Sequence, residues 1–252
     1  MVSAIDKETI ANAFFLGDDQ EPAARNNIAG VPDIESPNTA IEFNLDEAKR
    51  LLNEAGRTLD GDVRAKDGVK LKLTHATSVN QLRQKIQAVL KKNLESVGFK
   101  VSLESIDASV YFDSSSGNDQ NSSHFYWDAL MARQMSPSPR PLSLMRRWYA
   151  GPDGENIAQK ENQWAGYNFL RFQNADFDAP YERAETETDP AKQIEIFIAM
   201  NDLLFNEAVS IPLVLTADKI AAAKTMNADT FGFGPFSYQY WNIANWNRNP
   251  SS

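Results

Sequence analysis

The segment from Lys70 to Ile106 constrains the fold more than any other part of the chain. Residues 70–76 alternate between polar and apolar side chains, as a β-strand does, and residues 99–106 alternate again. Between them, residues 80–97 place leucine, isoleucine and valine at helical spacing. A strand, a helix and a strand within about 35 residues predict a βαβ unit, and hence two parallel strands joined by a right-handed crossover. We therefore predict an α/β fold.

Hydrophobic periodicity and capping residues predict the remaining elements. Four further helices are expected at residues 3–16, 44–56, 176–187 and 190–206. Two further strands are expected, a buried one at residues 125–132 and a short one at residues 211–215. The stretch from residue 17 to residue 43 is long and contains three prolines, which favours a loop packed on the surface.

The sequence from Asp60 to Gly68 contains two Asp-Gly pairs, which are typical of tight turns. Its acidic residues also have some of the spacing of a calcium-binding loop. Such a loop needs a bidentate glutamate at its twelfth position, and Leu71 occupies that position here. A hairpin is therefore favoured over a calcium site.

Composition and motifs exclude several classes of function. The chain has 34 acidic and 25 basic residues and a net charge of −9, which argues against binding to a nucleic-acid backbone. Cysteine is absent, so disulfides, zinc thiolate sites and thiol nucleophiles are excluded. No stretch is apolar over the roughly 20 residues of a membrane-spanning helix. No phosphate-binding loop, dinucleotide fingerprint, zinc-protease motif or nucleophile elbow occurs. We expect no enzyme activity, no cofactor and no metal.

Two segments have the composition of a ligand-binding site. Residues 164–172 combine aromatic rings with an amide and a guanidinium, which together suit a polar organic solute. We expect Trp164 to stack on the ligand, Asn168 to form hydrogen bonds with it, and Arg171 to supply charge. An ordinary strand with core aromatics would explain the same residues equally well.

The second candidate segment follows the strand predicted at residues 125–132. Ligands of α/β sheets bind beyond the carboxyl ends of the strands. We therefore add Gln134, Met135 and Ser136 to the predicted ligand-binding residues, although a polar loop after the strand would look the same. The two histidines, His75 and His124, are far apart in sequence, and a structural role is favoured for them over a catalytic one.

Five segments, in order along the chain, resemble the second lobe of the peptide-type (family 5) solute-binding proteins of ABC transporters. They include the Asn44–Gly56 helix ending in Leu-Leu-Asn-Glu-Ala-Gly and the Asp-Gly turns of residues 60–71. The other three are residues 4–10, 172–178 and 188–213. The resemblance implies a two-lobed protein that closes on its ligand by hinge motion. This chain would contribute one lobe of the periplasmic-binding-protein-like fold, with a mixed sheet flanked by helices.

The resemblance also implies a domain organisation and partners. Residues 1–216 are expected to form the ligand-binding lobe. The aromatic-rich residues 217–252 are expected to return to a first lobe, which would precede residue 1. The expected partners are a peptide or similar small solute, that first lobe and a transporter permease. The expected location is extracytoplasmic, and the start of the chain lacks the basic and apolar pattern of a signal or lipoprotein segment.

One departure from the family bears on the ligand. Peptide binders of this family often have an aspartate just after the strand corresponding to residues 125–132, where it pairs with the peptide ammonium. Here residues 133–139 contain no acid. A buried ammonium needs a paired charge, so the departure weakens the case for peptides without weakening that for a solute binder. Two alternatives stay open, a hydrolase acting on a related solute and an interaction module that binds a partner protein through its aromatic tail.

Overall fold

The structure is a computed structural model that describes residues 1–15, 23–28, 32–39, 42–134, 140–216, 221–227, 230 and 242–248. Its helices are α1 Lys7–Phe14, α2 Leu45–Glu54, α3 Gln81–Glu95, α4 Ala108–Tyr111, α5 Leu142–Met145, α6 Ala175–Thr186 and α7 Pro190–Asn206. Its strands are β1 Thr58–Asp60, β2 Val63–Lys66, β3 Val69–Lys70, β4 Lys72–Ser78, β5 Lys100–Ile106 and β6 Ala129–Leu130. The predicted α/β class is confirmed.

The predicted βαβ unit is present. Strand β4 pairs in parallel with β5 over its full length, from Lys72 opposite Lys100 to Ser78 opposite Ile106. Helix α3 connects them and begins at Asn80, whose side chain accepts a hydrogen bond from the third backbone N–H of the helix. Strand β6 pairs in parallel with the other edge of β4, giving the order β5-β4-β6. The carboxyl ends of all three strands therefore lie at one edge of the sheet.

The Asp-Gly turns form a hairpin, as predicted. Strands β1, β2 and β3 make a separate antiparallel sheet, and its two turns contain Gly61 and Gly68, both with positive φ. The strand predicted at residues 70–76 is wrong at its start, because Lys70 belongs to this hairpin. Lys70 pairs with Ala65, and its ammonium lies 3.5 Å from an Asp60 carboxylate oxygen.

The predicted helices are confirmed, with bounds close to those expected. In α1, α2, α6 and α7 the residue before the helix has an oxygen-bearing side chain that accepts a first-turn backbone N–H, which stabilises the helix start. These caps are Asp6, Asn44, Asn174 and Asp189. Helix α7 also begins with Pro190, whose missing N–H would be unpaired there in any case.

Two predicted strands are wrong in extent. The strand expected at residues 125–132 is reduced to Ala129 and Leu130, and both are half-buried rather than buried. The stretch before it cannot extend regularly, since Phe125 has a φ of 43°. At residues 211–215 only Val214 makes a bridge, opposite Ala23, in place of the expected strand. The short helices α4 and α5 were not predicted.

Two main apolar clusters support the fold. The first packs α3 against β4 and β5 and includes Ile10 of α1 and Ala48 of α2. The second joins α5, α6 and α7 around the fully buried Phe177 and Met200. Within the described part of the chain, none of the helices has the length and apolar character needed to cross a membrane.

Candidate ligand-binding site

The structure brings two of the predicted site residues together with two that the sequence did not single out. The guanidinium carbon of Arg171 lies 5.5 Å from the ring centroid of Trp164. The imidazole of His124 stacks on the Trp164 ring at 4.1 Å between centroids, with the planes inclined by 17°. Tyr126 meets the indole edge-on at 5.6 Å. We call these four residues the aromatic cluster.

Arg171 holds the two loops of the cluster together. Its Nη2 donates to the backbone carbonyl of His124 at 2.6 Å, and its Nη1 donates to that of Phe125 at 3.2 Å. The rings of Phe125 and Phe169 also meet edge-on at 6.4 Å. The planar guanidinium therefore joins residues 124–126 to residues 164–171, and its charge lies beside the indole ring.

The backbone of the cluster adopts conformations that non-glycine residues rarely take. Positive φ values occur at Phe125 (43°), Gln163 (57°), Trp164 (64°) and Arg171 (56°). Each costs on the order of 1 kcal/mol and persists only where the surroundings hold it in place. Such strain is concentrated at functional sites, so its position here supports this cluster as the candidate site.

Asn168 forms the base on which the Trp164–Arg171 loop rests. It is fully buried, and its side-chain nitrogen donates to the carbonyl of Phe172 at 2.7 Å and to that of Tyr149 at 3.3 Å. Its side-chain oxygen accepts from the backbone N–H of Phe172 at 3.1 Å. In this structure the Asn168 amide forms its hydrogen bonds with backbone groups of the protein. A direct contact between Asn168 and a ligand stays a prediction.

The cluster presents a surface suited to recognition. Tyr126 is 52% exposed, and Trp164 is half-buried. The indole Nε1 of Trp164 is buried and has no hydrogen-bond partner among the described residues. An aromatic surface beside a cation favours a polar organic ligand over a purely apolar one.

The second predicted segment is described only in part. Gln134 is exposed, and Met135 and Ser136 lie outside the described residues. The chain reaches Gln134 from the carboxyl edge of the parallel sheet, since the N–H of Met131 donates to Ala76 and the Thr77 hydroxyl donates to the Met131 carbonyl. This is the edge at which the α/β rule expects ligands.

The sequence analysis favoured a structural role for His124 and did not identify Tyr126. His124 is buried, and its Nδ1 lies 2.7 Å from the carbonyl of Asn118, so its structural role is real. Its ring also forms the surface on which Trp164 stacks. The run His-Phe-Tyr-Trp at residues 124–127 was the available signal, but only a long-range contact shows that it meets Trp164.

The described residues contain no group of three or more His, Asp or Glu side chains arranged to hold a metal ion. The segment with calcium-loop spacing forms a hairpin, in which the side chains of Asp60 and Asp67 are exposed.

The model of the bacterial extracellular solute-binding proteins, family 5 Middle, matches residues 1–156, which is more than half of the chain. The chain belongs to this family. The resemblance inferred from ordered sequence patterns is thus confirmed.

Named relatives and solved structures match this chain beyond residue 156 as well. The oligopeptide-binding protein OppA of Mycobacterium bovis is 26% identical over 245 residues, which cover 94% of this chain and 38% of that protein. The oligopeptide-binding protein of Thermus thermophilus, solved with a pentapeptide, has a TM-score of 0.72 and 24% identity, and the match covers 84% of this chain and 36% of that one. NikZ from Campylobacter jejuni, solved with Ni(L-His), has a TM-score of 0.72 and 17% identity, covering 98% and 47%.

These likenesses show a shared fold, and the two solved proteins hold chemically different ligands, a pentapeptide and Ni(L-His). The chain spans less than half the length of each of these three relatives.

Proposed function

We propose that this chain is part of the substrate-binding component of an ABC importer, which captures a peptide or a similar small polar solute outside the cytoplasm. Membership of the extracellular solute-binding family supports the role, and the relatives named for oligopeptide binding support the ligand class. The chain would supply residues 1–216 as one lobe of a two-lobed cleft, and residues 217–252 would return to the other lobe. The transporter permease would receive the loaded protein.

The observation that carries the proposal is the contact of Trp164 with Arg171 and His124. Stacking fixes the indole plane, and Arg171 fixes the loop on which the indole lies. A preorganised aromatic surface binds a ligand without ordering its own side chains first, which lowers the entropic cost of association. In the proposed complex Trp164 stacks on the solute and Arg171 contributes charge.

The remaining predicted residues take supporting positions. Gln134 and Ser136 would form hydrogen bonds with the solute and Met135 would pack on it, all three following the carboxyl edge of β6. Asn168 would act mainly by holding the loop of Trp164. The absence of an acid in residues 133–139 argues that a ligand ammonium, where one is present, is bound elsewhere.

A ligand screen by thermal shift tests the proposal. A longer version of this protein that includes the preceding lobe is screened with tripeptides, pentapeptides, oligosaccharides and histidine complexes of nickel. At least one class is expected to raise the unfolding temperature in a concentration-dependent way. The 252-residue chain alone is expected to bind the same ligand far more weakly, since it supplies only part of the contact.

Two variants locate the site. Trp164→Leu is expected to weaken binding at least tenfold, whereas Tyr167→Leu, in the same loop and 57% exposed, is expected to leave binding unchanged. Ligand consumption would show a hydrolase instead, because a binding component releases its solute intact. Equal binding by both variants would place the site elsewhere.

A further inference from the structure

A second polar group of residues lies at the carboxyl end of β4, apart from the contacts of the aromatic cluster. Ser78 ends β4, Arg83 lies in the first turn of α3, and Tyr111 ends α4, just after β5. The Nη2 of Arg83 donates to the Ser78 hydroxyl at 2.6 Å. Ala76 and Ser78 share one face of β4, and Ala76 packs in the same small apolar cluster as Tyr111.

Two hydrogen-bond donors of this group have no acceptor among the residues that the structure describes. The Nε of Arg83 and the hydroxyl of Tyr111 are both buried and have no hydrogen-bond partner within the described part of the chain. Tyr111 as a whole is 1% exposed. Native proteins pair most buried donors, so two unpaired ones close together need an explanation.

The electrostatics of the group favour an anion as the missing acceptor. Burial raises the pKa of Tyr111 to about 12, while the positive charge of Arg83 acts on the same phenol and lowers it. The phenol is therefore a protonated donor at neutral pH, and the guanidinium lies near enough to influence it. The amino end of α3, a helix of 15 residues, adds a positive partial charge beside Arg83.

Two carboxylates that lie near this group in sequence already accept hydrogen bonds from other residues. Glu104, opposite Ala76 on β5, accepts the indole N–H of Trp127 at 2.7 Å. Asp107, before α4, accepts from the backbone N–H and the hydroxyl of Ser109 at 2.8 and 2.6 Å. Neither of these bonds reaches Arg83 or Tyr111, so these two carboxylates do not supply the missing acceptor.

We infer that Arg83, Tyr111 and Ser78 bind the carboxylate of an organic acid at the carboxyl end of β4. The inference rests on the proposed function, because the carboxylate is taken to be a group of the captured solute. The Arg83 Nε–H and the Tyr111 hydroxyl donate to the carboxylate oxygens, and Ser78 orients the guanidinium.

Exposed apolar side chains next to the group indicate what carries the carboxylate. Val79 follows Ser78 and is 55% exposed, and Phe112 follows Tyr111 and is 61% exposed. The Phe112 ring also packs edge-on against Tyr111 at 5.0 Å between centroids. A ligand with an apolar body beside its carboxylate would cover these side chains, whereas an inorganic anion would not.

Acetate titration of the 252-residue chain tests the carboxylate site directly. The ¹H–¹⁵N resonance of the Arg83 Nε is followed by NMR, with acetamide and sodium chloride as matched probes. Acetate is expected to shift this resonance saturably in the millimolar range, and acetamide or chloride at equal concentration is expected not to. An equal response to acetamide, or no response to acetate, would overturn the inference.

Two substitutions separate this site from general anion effects. Arg83→Gln and Tyr111→Phe are each expected to weaken acetate binding at least tenfold. Arg50→Gln, on the exposed face of α2, and Tyr181→Phe, in the core of the second apolar cluster, are the matched controls and are expected to keep wild-type acetate binding. Tyr111→Phe is also expected to raise the unfolding temperature without acetate, because it removes an unpaired buried hydroxyl.

Amidation of a captured solute distinguishes failure of this site from failure of the proposed function. In the longer protein, a solute found in the ligand screen is compared with its carboxyl-amidated form. If amidation weakens binding of the solute to wild type but not to Arg83→Gln, the carboxylate site is supported. A solute that binds Arg83→Gln as tightly as wild type would overturn the site and leave the importer role intact.

Discussion

The imidazole of His124 lies parallel to the indole of Trp164, with ring centroids 4.1 Å apart. The two residues are separated by forty positions in sequence, and the contact joins the loop before β6 to the loop before α6. Arg171 strengthens the same connection by donating to the His124 carbonyl. The candidate site is therefore a junction between two loops, and its integrity can be measured through stability as well as through binding.

Replacing Trp164 is expected to cost moderate stability. Trp164→Leu removes the stack with His124 and the contact with Arg171, which together contribute about 1–2 kcal/mol. Tyr167→Leu removes an exposed ring that lies 4.4 Å from the guanidinium carbon of Arg146, and is expected to cost about 0.5 kcal/mol. Urea denaturation of the two variants measures the difference, and equal losses would show that the stack does not stabilise the loop.

The buried amide of Asn168 is expected to tolerate no charge. In Asn168→Asp a carboxylate would replace the nitrogen that donates to the carbonyls of Phe172 and Tyr149. Repulsion and lost donors are expected to lower the free energy of unfolding by about 3 kcal/mol at pH 7.

The matched control for that change is Asn174→Asp. Asn174 caps α6 and accepts the backbone N–H of Asp176 at 2.9 Å, a bond that a carboxylate accepts equally well. Its expected effect is within about 0.5 kcal/mol. Equal losses at Asn168 and Asn174 in chemical denaturation would contradict the structural role assigned to the Asn168 amide.

Local patterns predicted the scaffold well because its elements depend on neighbouring residues. Helix α3 follows from its apolar spacing and the Asn80 cap, and the hairpin follows from its two Asp-Gly turns. The sequence did not predict that β3 and β4 are separate strands. Polar and apolar residues continue to alternate across Leu71, although the two strands belong to different sheets.

The candidate site was less predictable, because its contacts are long-range. Trp164 and Arg171 were identified from composition alone, but His124 and Tyr126 joined them only through the packing of a distant loop. The orphan hydroxyl of Tyr111 was invisible in the sequence for a similar reason, since burial and missing partners are properties of the fold.

A single methyl group at Gly166 is expected to disrupt the loop of Trp164. Gly166 has a φ of +113°, and a Cβ there would lie 2.4 Å from the backbone oxygen of Asn156. Gly166→Ala is therefore expected to lower the free energy of unfolding by about 2–4 kcal/mol. It should also weaken binding of any solute that Trp164 contacts.

Gly61→Ala is the matched control, because it tests a positive φ at alanine without a steric clash. Gly61 also has a positive φ, +66°, but an added Cβ would have no atom within 4 Å. Its expected cost is about 1 kcal/mol, the ordinary penalty for alanine in a left-handed turn. Thermal denaturation distinguishes the two, and a Gly166→Ala variant as stable as Gly61→Ala would show that the Asn156 backbone can move aside.

The buried His75 is expected to make the fold sensitive to acid. Burial on β4 lowers the pKa of His75 to about 4, below the value of about 6.5 for an exposed histidine. The Gln87 amide nitrogen lies 3.1 Å from the His75 Nδ1 and donates to the carbonyls of His75 and Glu104. The two carbonyls occupy both N–H groups of this nitrogen, and an amide nitrogen does not accept hydrogen bonds. A proton added to Nδ1 would therefore find no acceptor in Gln87 Nε2.

The direction of the pH effect follows from this lowered pKa. The stabilisation from neutral His75 is fully present above pH 6.5 and is lost as the pH falls from 6.5 to 4. The total loss of free energy of unfolding from this residue is about 3 kcal/mol. His75→Gln, which cannot titrate, should lose less stability than wild type between pH 7 and pH 4.5, while acidic side chains contribute alike to both. Urea denaturation at the two pH values measures this difference, and an NMR titration midpoint for His75 near 6.5 would contradict it.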